Sequence, residues 1–264
     1  MNYIRLKTGL NIQDIEDRVQ YNPEIIELHL TEHDLYEPEI ITQRIQLLKS
    51  QGIRVYLHQP MTYKGQYLDI ISSDQDMRDH YNWSCKALAA ICNQEDIQCV
   101  IHCHYTASEN TDYQNARKRK ETRKRIEEVL HICNTAFLWE DSVKGIFSAE
   151  NPFLFSEIVE PLNLPLTIDV SHSFIALQGD NQGLEEHLEK FHVFATYFHL
   201  ADSMGIIHDA LPLGTGRINW RMVKPYVNDK DFIFEVDLRS SNFTDCTPMV
   251  VSAEYFQCVE SSCP

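Results

Sequence analysis

Eight short apolar segments recur along the chain, and this recurrence restricts the fold more than any other feature of the sequence. Each segment has the length of a buried strand and is bounded by polar or turn-forming residues. The segments are residues 3–7, 25–30, 53–58, 97–102, 136–140, 165–169, 195–200 and 232–238. The gaps between them are long enough for helices, and four stretches have helical periodicity: residues 39–50, 75–93, 115–133 and 183–191.

This alternation predicts a parallel sheet that is covered by helices. Nearly continuous apolar strands are typical of parallel sheets, and eight strand–helix units are the number that closes a barrel. An open doubly wound sheet is the alternative, but no Gly-x-Gly-x-x-Gly motif follows the first strand. No linker, repeat or break in composition marks a second domain. We therefore predict that residues 1–264 form a single α/β domain, an eight-stranded (β/α)8 TIM barrel.

Composition places the chain among water-soluble globular proteins. The hydrophobic fraction is 43%, and no apolar run is long enough to cross a bilayer, so no membrane role is predicted. The opening "MNYIRLKTGL" lacks the apolar core and the cleavage site of a secretory signal. The eight cysteines are scattered without a Cys-x-x-Cys pair, which indicates reduced thiols. We expect a cytoplasmic protein.

Charge disfavours nucleic acid as a partner. The formal net charge of −16 repels a phosphate backbone at long range. The most basic stretch is "RKRKETRKR", residues 117–125, and acidic residues at Glu121, Glu127 and Glu128 are interleaved with it or follow it. We interpret this stretch as the solvated face of a helix.

Potential metal ligands stand at the ends of six consecutive predicted strands. In a βα barrel the carboxyl ends of the strands converge on one face, where the chemistry takes place. A single histidine there is often structural, and a single aspartate is often a helix N-cap, but a whole set at one face indicates a site. In chain order they are His58; His102 and His104; Glu140 and Asp141; Asp169 and His172; His199 and Asp202; Glu235 and Asp237.

A divalent metal would explain why three carboxylates share this face. Burial of Glu140, Asp169 and Glu235 together is costly in repulsion and desolvation unless a cation compensates. With the imidazole of His199 they form an oxygen-rich set that suits Mn²⁺ or Mg²⁺, whereas the surplus histidines favour Zn²⁺ or Co²⁺. His172 is expected to return over the same pocket, towards a substrate or a second metal.

Seven fragments together resemble the xylose isomerase-like barrel superfamily, which includes sugar epimerases related to tagatose 3-epimerase, hydroxypyruvate isomerase and the endonuclease IV repair enzymes. The resemblance covers nearly the whole chain, and its specificity lies in the order and spacing of the fragments. They are "YLHQP", "VIHCH", "FLWEDS", "TIDVSHSF", "YFHLADS", "LPLGTGRINW" and "FIFEVDL". The resemblance implies a metal held by Glu140, Asp169, His199 and Glu235, with Glu140 and Glu235 also serving as the acid/base pair.

The same resemblance assigns expected roles to the remaining histidines. His172 would touch the substrate in the isomerase branch or bind a further zinc in the endonuclease branch. His58 and His102 match histidines of both branches, whereas His104 has no counterpart that we can assign. Alignment on "LGTG" puts His208 and Ala210 where endonucleases have an Asp-x-His pair that completes a three-zinc cluster, so one ligand is missing. Thr215 likewise replaces the acidic residue of the usual "GEG".

The predicted function is a metal-dependent isomerase or epimerase of a sugar or sugar phosphate. Glu140 and Glu235 would transfer a proton, and one divalent metal (Mn, Mg, Zn or Co) would stabilise the enediolate. Arg217 would pair with a phosphate or carboxylate of the substrate, although a surface role fits it equally well.

Two other functions remain open. The first is a metal-dependent hydrolase or phosphodiesterase of the endonuclease IV type with two or three metals, in which additional Zn would bind near His58, His102, His172 and His208. The second is a non-catalytic binding protein. The expected partner is a small-molecule sugar, and homo-oligomerisation is left open.

Overall fold

The eight predicted strand segments pair in parallel and close into a ring. The computed structural model describes residues 3–103, 112–133 and 135–260. The ring runs β1–β10–β9–β8–β7–β6–β3–β2 and returns to β1, while β4 and β5 form a separate antiparallel hairpin. The prediction of a TIM barrel is confirmed. The strands are β1 (Arg5–Thr8), β2 (Ile25–His29), β3 (Arg54–His58), β4 (Thr62–Tyr63), β5 (Gln66–Tyr67), β6 (Gln98–His102), β7 (Phe137–Glu140), β8 (Leu166–Asp169), β9 (Ala195–Leu200) and β10 (Asp231–Phe234).

Helices lie between the barrel strands, and the four helical stretches expected from periodicity are among them. Several begin after a polar side chain that accepts a backbone N–H; Asn115, for example, accepts from the backbone N–H groups of Arg117 and Lys118. The helices are α1 (Ile12–Val19), α2 (Pro38–Ser50), α3 (Gln75–Glu95), α4 (Ala116–Ile132), α5 (Glu160–Leu162), α6 (Val170–Ala176), α7 (Asn181–Phe191), α8 (Trp220–Val227) and α9 (Thr247–Cys258).

The interior of the barrel is built in layers because alternate residues of each strand face it. One layer is apolar and fully buried: Ile25, Val100, Leu138, Tyr197 and Ile233. The residues two positions further along the same strands are polar: Glu27, His102, Glu140, His199 and Glu235. The period of the strands therefore places a ring of ionisable groups directly above an apolar layer, at the carboxyl end of the barrel.

The opposite end of the barrel is closed by aromatic and charged side chains. Tyr56 stacks on Tyr197 with 4.4 Å between ring centroids, and its hydroxyl donates to Asp231 at 2.6 Å. Arg54 forms ion pairs with both Asp231 and Glu24. The barrel is thus filled at its amino-terminal end, and it carries its polar layer near the other end.

The prediction for the last strand, residues 232–238, extends too far at its carboxyl end. Strand β10 ends at Phe234, so Glu235 follows the strand instead of lying within it. Beyond Glu235 the backbone leaves the ring, and the N–H of Asp237 donates to the carbonyl of Ala210 in the loop after β9. His104, a potential ligand with no assigned role, lies outside the described residues.

None of the helices in residues 3–103, 112–133 and 135–260 is both long enough and apolar enough to cross a bilayer.

His187 on α7 should make the folded protein sensitive to mild acid. It is buried against Phe191, and burial lowers its pKa to about 4. The folded state therefore favours the neutral ring, and its stability falls as the pH drops below the unfolded pKa of about 6.5. We expect His187→Leu to remove about 2 kcal/mol of the stability difference between pH 7 and pH 5, as measured by urea unfolding. His33→Gln, at an exposed histidine, should leave that difference unchanged. Equal pH dependence in His187→Leu and the unmodified protein would contradict the assignment.

Candidate metal centre

The four predicted ligands meet at the carboxyl end of the barrel. Glu140, Asp169, His199 and Glu235 each offer one ligand atom, and these atoms lie within 4.8 Å of one another. Three of them lie on the neighbouring strands β7, β8 and β9, and Glu235 directly follows β10. The register pairs Asp169 of β8 with His199 of β9. Glu140, Asp169 and His199 are buried, whereas the side chain of Glu235 is 23% exposed. In this group, here called the four-residue cluster, Glu235 is therefore the member most exposed to solvent.

His199 lies at the centre of the four-residue cluster. Its Nδ1 is 3.1 Å from Oε1 of Glu140 and 2.7 Å from Oε2 of Glu235, and its Nε2 is 2.8 Å from Oε2 of Glu27. Burial alone would lower its pKa, but Glu27, Glu140 and Glu235 outweigh burial and raise the pKa well above the usual value. Carboxylates thus surround the ring on both nitrogens.

Glu140 connects the four-residue cluster to two further histidines. Its Oε2 lies 3.2 Å from Nε2 of His58 and 3.4 Å from Nε2 of His102. Burial would raise the pKa of Glu140, but His102 and His199 outweigh it, so the pKa is held well below its usual value. Burial lowers the pKa of His102 to about 3 although Glu140 opposes this shift. A neutral His102 retains a lone pair, and His58, His102 and Glu140 form a second group of potential ligands.

His172 returns over the pocket. Asp169 caps α6 by accepting the backbone N–H of His172 at 2.9 Å, which starts the helix directly after the strand. The Nδ1 of His172 lies 2.9 Å from the carbonyl of Asp141, and its Nε2 lies 3.7 Å from Oδ2 of Asp169. Burial lowers the pKa of His172, but Asp169 and Glu140 outweigh burial and raise it to about 9.

A third group of potential ligands lies nearer to solvent. It consists of Asp169, His172 and the exposed His208, whose ring centroid is 4.7 Å from that of His172. Position 210, two residues after His208 and the place of a histidine in the endonuclease pattern, is a buried alanine whose side chain offers no metal-ligand atom. The third group therefore has one ligand fewer than the pattern requires.

Three other acidic residues at the strand ends have structural contacts. Asp141 accepts the N–H of Asp169 at 2.7 Å and the hydroxyl of Ser173 at 2.8 Å. Asp202 anchors the loop after β9, and Asp237 forms an ion pair with Arg239 at the surface. An acidic residue at a strand end is thus not by itself evidence of a ligand.

Arg217 is exposed, and its backbone is held by two hydrogen bonds. Its N–H donates to the carbonyl of Ser203 at 2.8 Å, and its carbonyl accepts the side-chain N–H of Asn181 at 2.9 Å. A substrate role for Arg217 stays a prediction.

Three polar residues beside the four-residue cluster were not predicted from the sequence to belong to the site. Lys7 of β1 places its ammonium 2.6 Å from Oε1 of Glu235 and 3.3 Å from Oε1 of Glu27. His29 lies with its Nδ1 3.2 Å from Nδ1 of His58. The available signal was the two-residue period of the first two strands, which turns Lys7, Glu27 and His29 to the barrel interior.

The residues fit a divalent cation. Within the described residues, Asp169 Oδ2 and His172 Nε2 are buried without a hydrogen-bond partner, as expected of atoms that await a ligand. Three carboxylates and one imidazole suit Mn²⁺ or Mg²⁺, and the neighbouring histidines also admit Zn²⁺ or Co²⁺.

Solved structures share this architecture over almost their full length. A D-tagatose 3-epimerase-like protein superposes with a TM-score of 0.75 at 17% identity, covering 96% of each chain. The TTHB071 protein from Thermus thermophilus, soaked with ZnCl2, gives 0.71 at 16% identity, covering 97% of this chain and 96% of that chain. D-psicose 3-epimerase from Clostridium cellulolyticum, with D-tagatose, gives 0.71 at 14% identity, covering 98% of each chain. At these identities the likeness establishes the fold.

Comparison with curated protein sequences gives no match. The family model described as "Xylose isomerase-like TIM barrel" matches residues 20–242, which span seven of the eight barrel strands and all four members of the four-residue cluster. The chain therefore belongs to the xylose isomerase-like TIM barrel family.

Proposed function

We propose that the protein is a metal-dependent isomerase or epimerase acting on a sugar or sugar phosphate. One observation carries the proposal: Glu140 and Glu235 approach the same nitrogen of His199, at 3.1 and 2.7 Å, with Asp169 in the same cluster. Two carboxylates beside one candidate metal position are what a paired proton transfer needs. The epimerases among the solved structures of the same fold support this choice.

The reaction would move a proton on a carbon beside a carbonyl or hydroxyl group. A divalent metal, when bound, would polarise the carbonyl and stabilise the enediolate charge. Glu140 and Glu235 would take and return the proton, with the order unassigned. Both carboxylates are ionised at neutral pH: burial raises their pKa values, but His102 and His199 for Glu140, and Lys7 and His199 for Glu235, outweigh burial and lower them.

Side chains around the cluster would bind the substrate. His172 and His58 contact Asp169 and Glu140, respectively, and would hold hydroxyl groups of a small sugar. Arg217 would pair with a phosphate or carboxylate if the substrate carries one. We propose the cytoplasm as the location, since the cysteines of the described residues are free thiols.

A hydrolase with two or three metals is the second candidate. The observation in its favour is that the second group shares Glu140 with the four-residue cluster and the third group shares Asp169 with it. Cations there, including additional Zn, would activate water instead of guiding a hydroxyl group. The alanine at position 210 and the net charge of −16 weigh against a phosphodiesterase acting on nucleic acid.

Metal stoichiometry combined with two substrate panels tests these proposals. The purified protein is loaded with Mn²⁺, Co²⁺ or Zn²⁺, and bound metal per chain is measured by mass spectrometry. It is then assayed with ketoses and sugar phosphates, and separately with phosphodiesters. One ion per chain with interconversion of ketoses is the expected result. Two or three ions with ester hydrolysis would favour the second candidate, and no bound metal would reject both.

A further inference from the structure

Glu27 on β2 is a charged residue in the closed interior of the barrel. Its side chain is fully buried, and it contacts Nε2 of His199 at 2.8 Å and the ammonium of Lys7 at 3.3 Å. The proton transfer proposed above assigns it no part. Burial of a carboxylate has a high desolvation cost unless its partners compensate, so we expect the contacts of Glu27 to indicate its function.

The two nitrogens of His199 face different groups. Nδ1 faces Glu140 and Glu235 of the four-residue cluster, and Nε2 faces Glu27. A neutral imidazole carries one N–H and one lone pair, and only the lone pair binds a metal. If the N–H is on Nε2 and Glu27 accepts it, the lone pair is on Nδ1 and points at the cluster.

We infer that Glu27 is a positioning residue: it accepts the Nε2–H of His199 and so holds Nδ1 as the ligand atom of the four-residue cluster. The inference rests on the proposed function, because it requires that the cluster binds a metal. A carboxylate behind a ligating histidine fixes the orientation of the ring and its tautomer and makes the ring a stronger ligand.

Glu27 also lies close enough to His58 and His199 to form a ligand group with them. Two contacts favour the hydrogen bond over that arrangement. The Nε2 of His199 cannot donate to Glu27 and bind a cation at the same time. The ammonium of Lys7, at 3.3 Å from Glu27, would also repel a cation placed there.

Lys7 links Glu27 to the four-residue cluster. Its ammonium lies 2.6 Å from Oε1 of Glu235, so one cation is shared by the carboxylate behind His199 and a carboxylate of the cluster. Burial would raise the pKa of Glu27, but His199 and Lys7 outweigh it and lower the pKa. Removal of Glu27 would leave Lys7 paired with Glu235, so a variant at position 27 does not strand a buried charge.

Metal affinity in two variants tests the inference. Mn²⁺ is titrated into the full-length protein by calorimetry, and Zn²⁺ by competition with a chelator. We expect Glu27→Leu to bind about 10- to 100-fold more weakly, as for the loss of other partners of metal-bound histidines. Glu27→Gln retains an oxygen acceptor and should recover most of the affinity. Glu95→Leu removes another buried glutamate, which bonds Gln46 and Gln94 away from the cluster, and should leave the affinity unchanged.

The tautomer of His199 gives a readout that a merely structural role would not change. Long-range ¹H–¹⁵N spectra of the Zn²⁺-loaded protein, with His199 assigned by a His199→Asn variant, should show Nε2–H and a zinc-shifted Nδ1. Loss of this signature in Glu27→Leu and its retention in Glu27→Gln are expected. An Nδ1–H tautomer of His199 in the unmodified protein would overturn the inference. Equal affinity of Glu27→Leu and the unmodified protein would overturn it while leaving the proposed function standing, whereas absence of metal binding to the unmodified protein would overturn both.

Discussion

Glu140→Gln and Glu235→Gln should each lower turnover of a sugar substrate about 10²- to 10⁴-fold, the usual contribution of a positioned acid or base. Glutamine keeps the shape and one oxygen ligand of the carboxylate but cannot take up a proton. Bound metal should therefore fall only in part. The measurements are kcat on the ketose identified in the substrate screen, deuterium uptake from D2O into that substrate, and metal content of the same samples.

A control lies on the outside of the barrel. Glu157 forms an ion pair with Arg119 of α4, and Glu157→Gln should retain full activity and full metal content. Full activity in either Glu140→Gln or Glu235→Gln would reject the assignment of these residues as the acid/base pair. Loss of metal in proportion to the loss of activity would instead show that they act as ligands alone.

Asp202→Ala should destabilise the fold by about 3–5 kcal/mol, because it leaves several buried donors without an acceptor. The carboxylate accepts the N–H groups of Gly214 and Ile218 at 2.8 and 3.2 Å and the indole N–H of Trp220 at 3.0 Å. Asp202→Asn retains one acceptor oxygen and should lower the free energy of unfolding by less than Asp202→Ala does. Denaturant unfolding followed by tryptophan fluorescence measures the free energy of unfolding.

Position 216 shows how tightly this loop surrounds Asp202. A Cβ added at Gly216 would lie 2.6 Å from the carbonyl oxygen of Ser203 and would clash with the Asp202 carboxylate, so only glycine fits there. Gly216→Ala should therefore be destabilising as well, whereas Thr215→Ala, at the exposed neighbour, should change stability by less than about 1 kcal/mol. Asp202→Ala with unchanged stability would show that water replaces the carboxylate at little cost.

The strands could be predicted because each is a run of buried apolar residues bounded by polar ones. Strand β2 was expected at residues 25–30 and runs Ile25–His29, and the others agree to within two residues at their starts. The overlong prediction for β10 has a physical cause. Val236 and Leu238 are apolar and buried in the hydrophobic core, but they lie beyond the end of β10 and do not belong to the sheet. An alternation of apolar residues therefore predicts that their side chains are buried, but it does not by itself predict that the segment pairs in a sheet.

The candidate ligands could be predicted because the geometry of a barrel brings strand ends together wherever they lie in the chain. Glu27 could not be found in this way because it lies inside its strand, and Lys7, at the end of the predicted first strand, is a cation and therefore not a candidate metal ligand. Their importance depends on contacts with Glu235 and His199, more than 150 residues away in sequence, which no local pattern reveals. The anchoring role of Asp202 was hidden for the same reason.

The plug formed by Tyr56, Tyr197, Asp231 and Arg54 has a kinetic consequence. Among the described residues these side chains fill the barrel below the polar layer, so substrate and product would both reach that layer from the carboxyl end of the barrel. Occupancy by one excludes the other. Accumulated product of any reaction at this centre should therefore compete directly with fresh substrate, and its inhibition should be relieved by raising the substrate concentration.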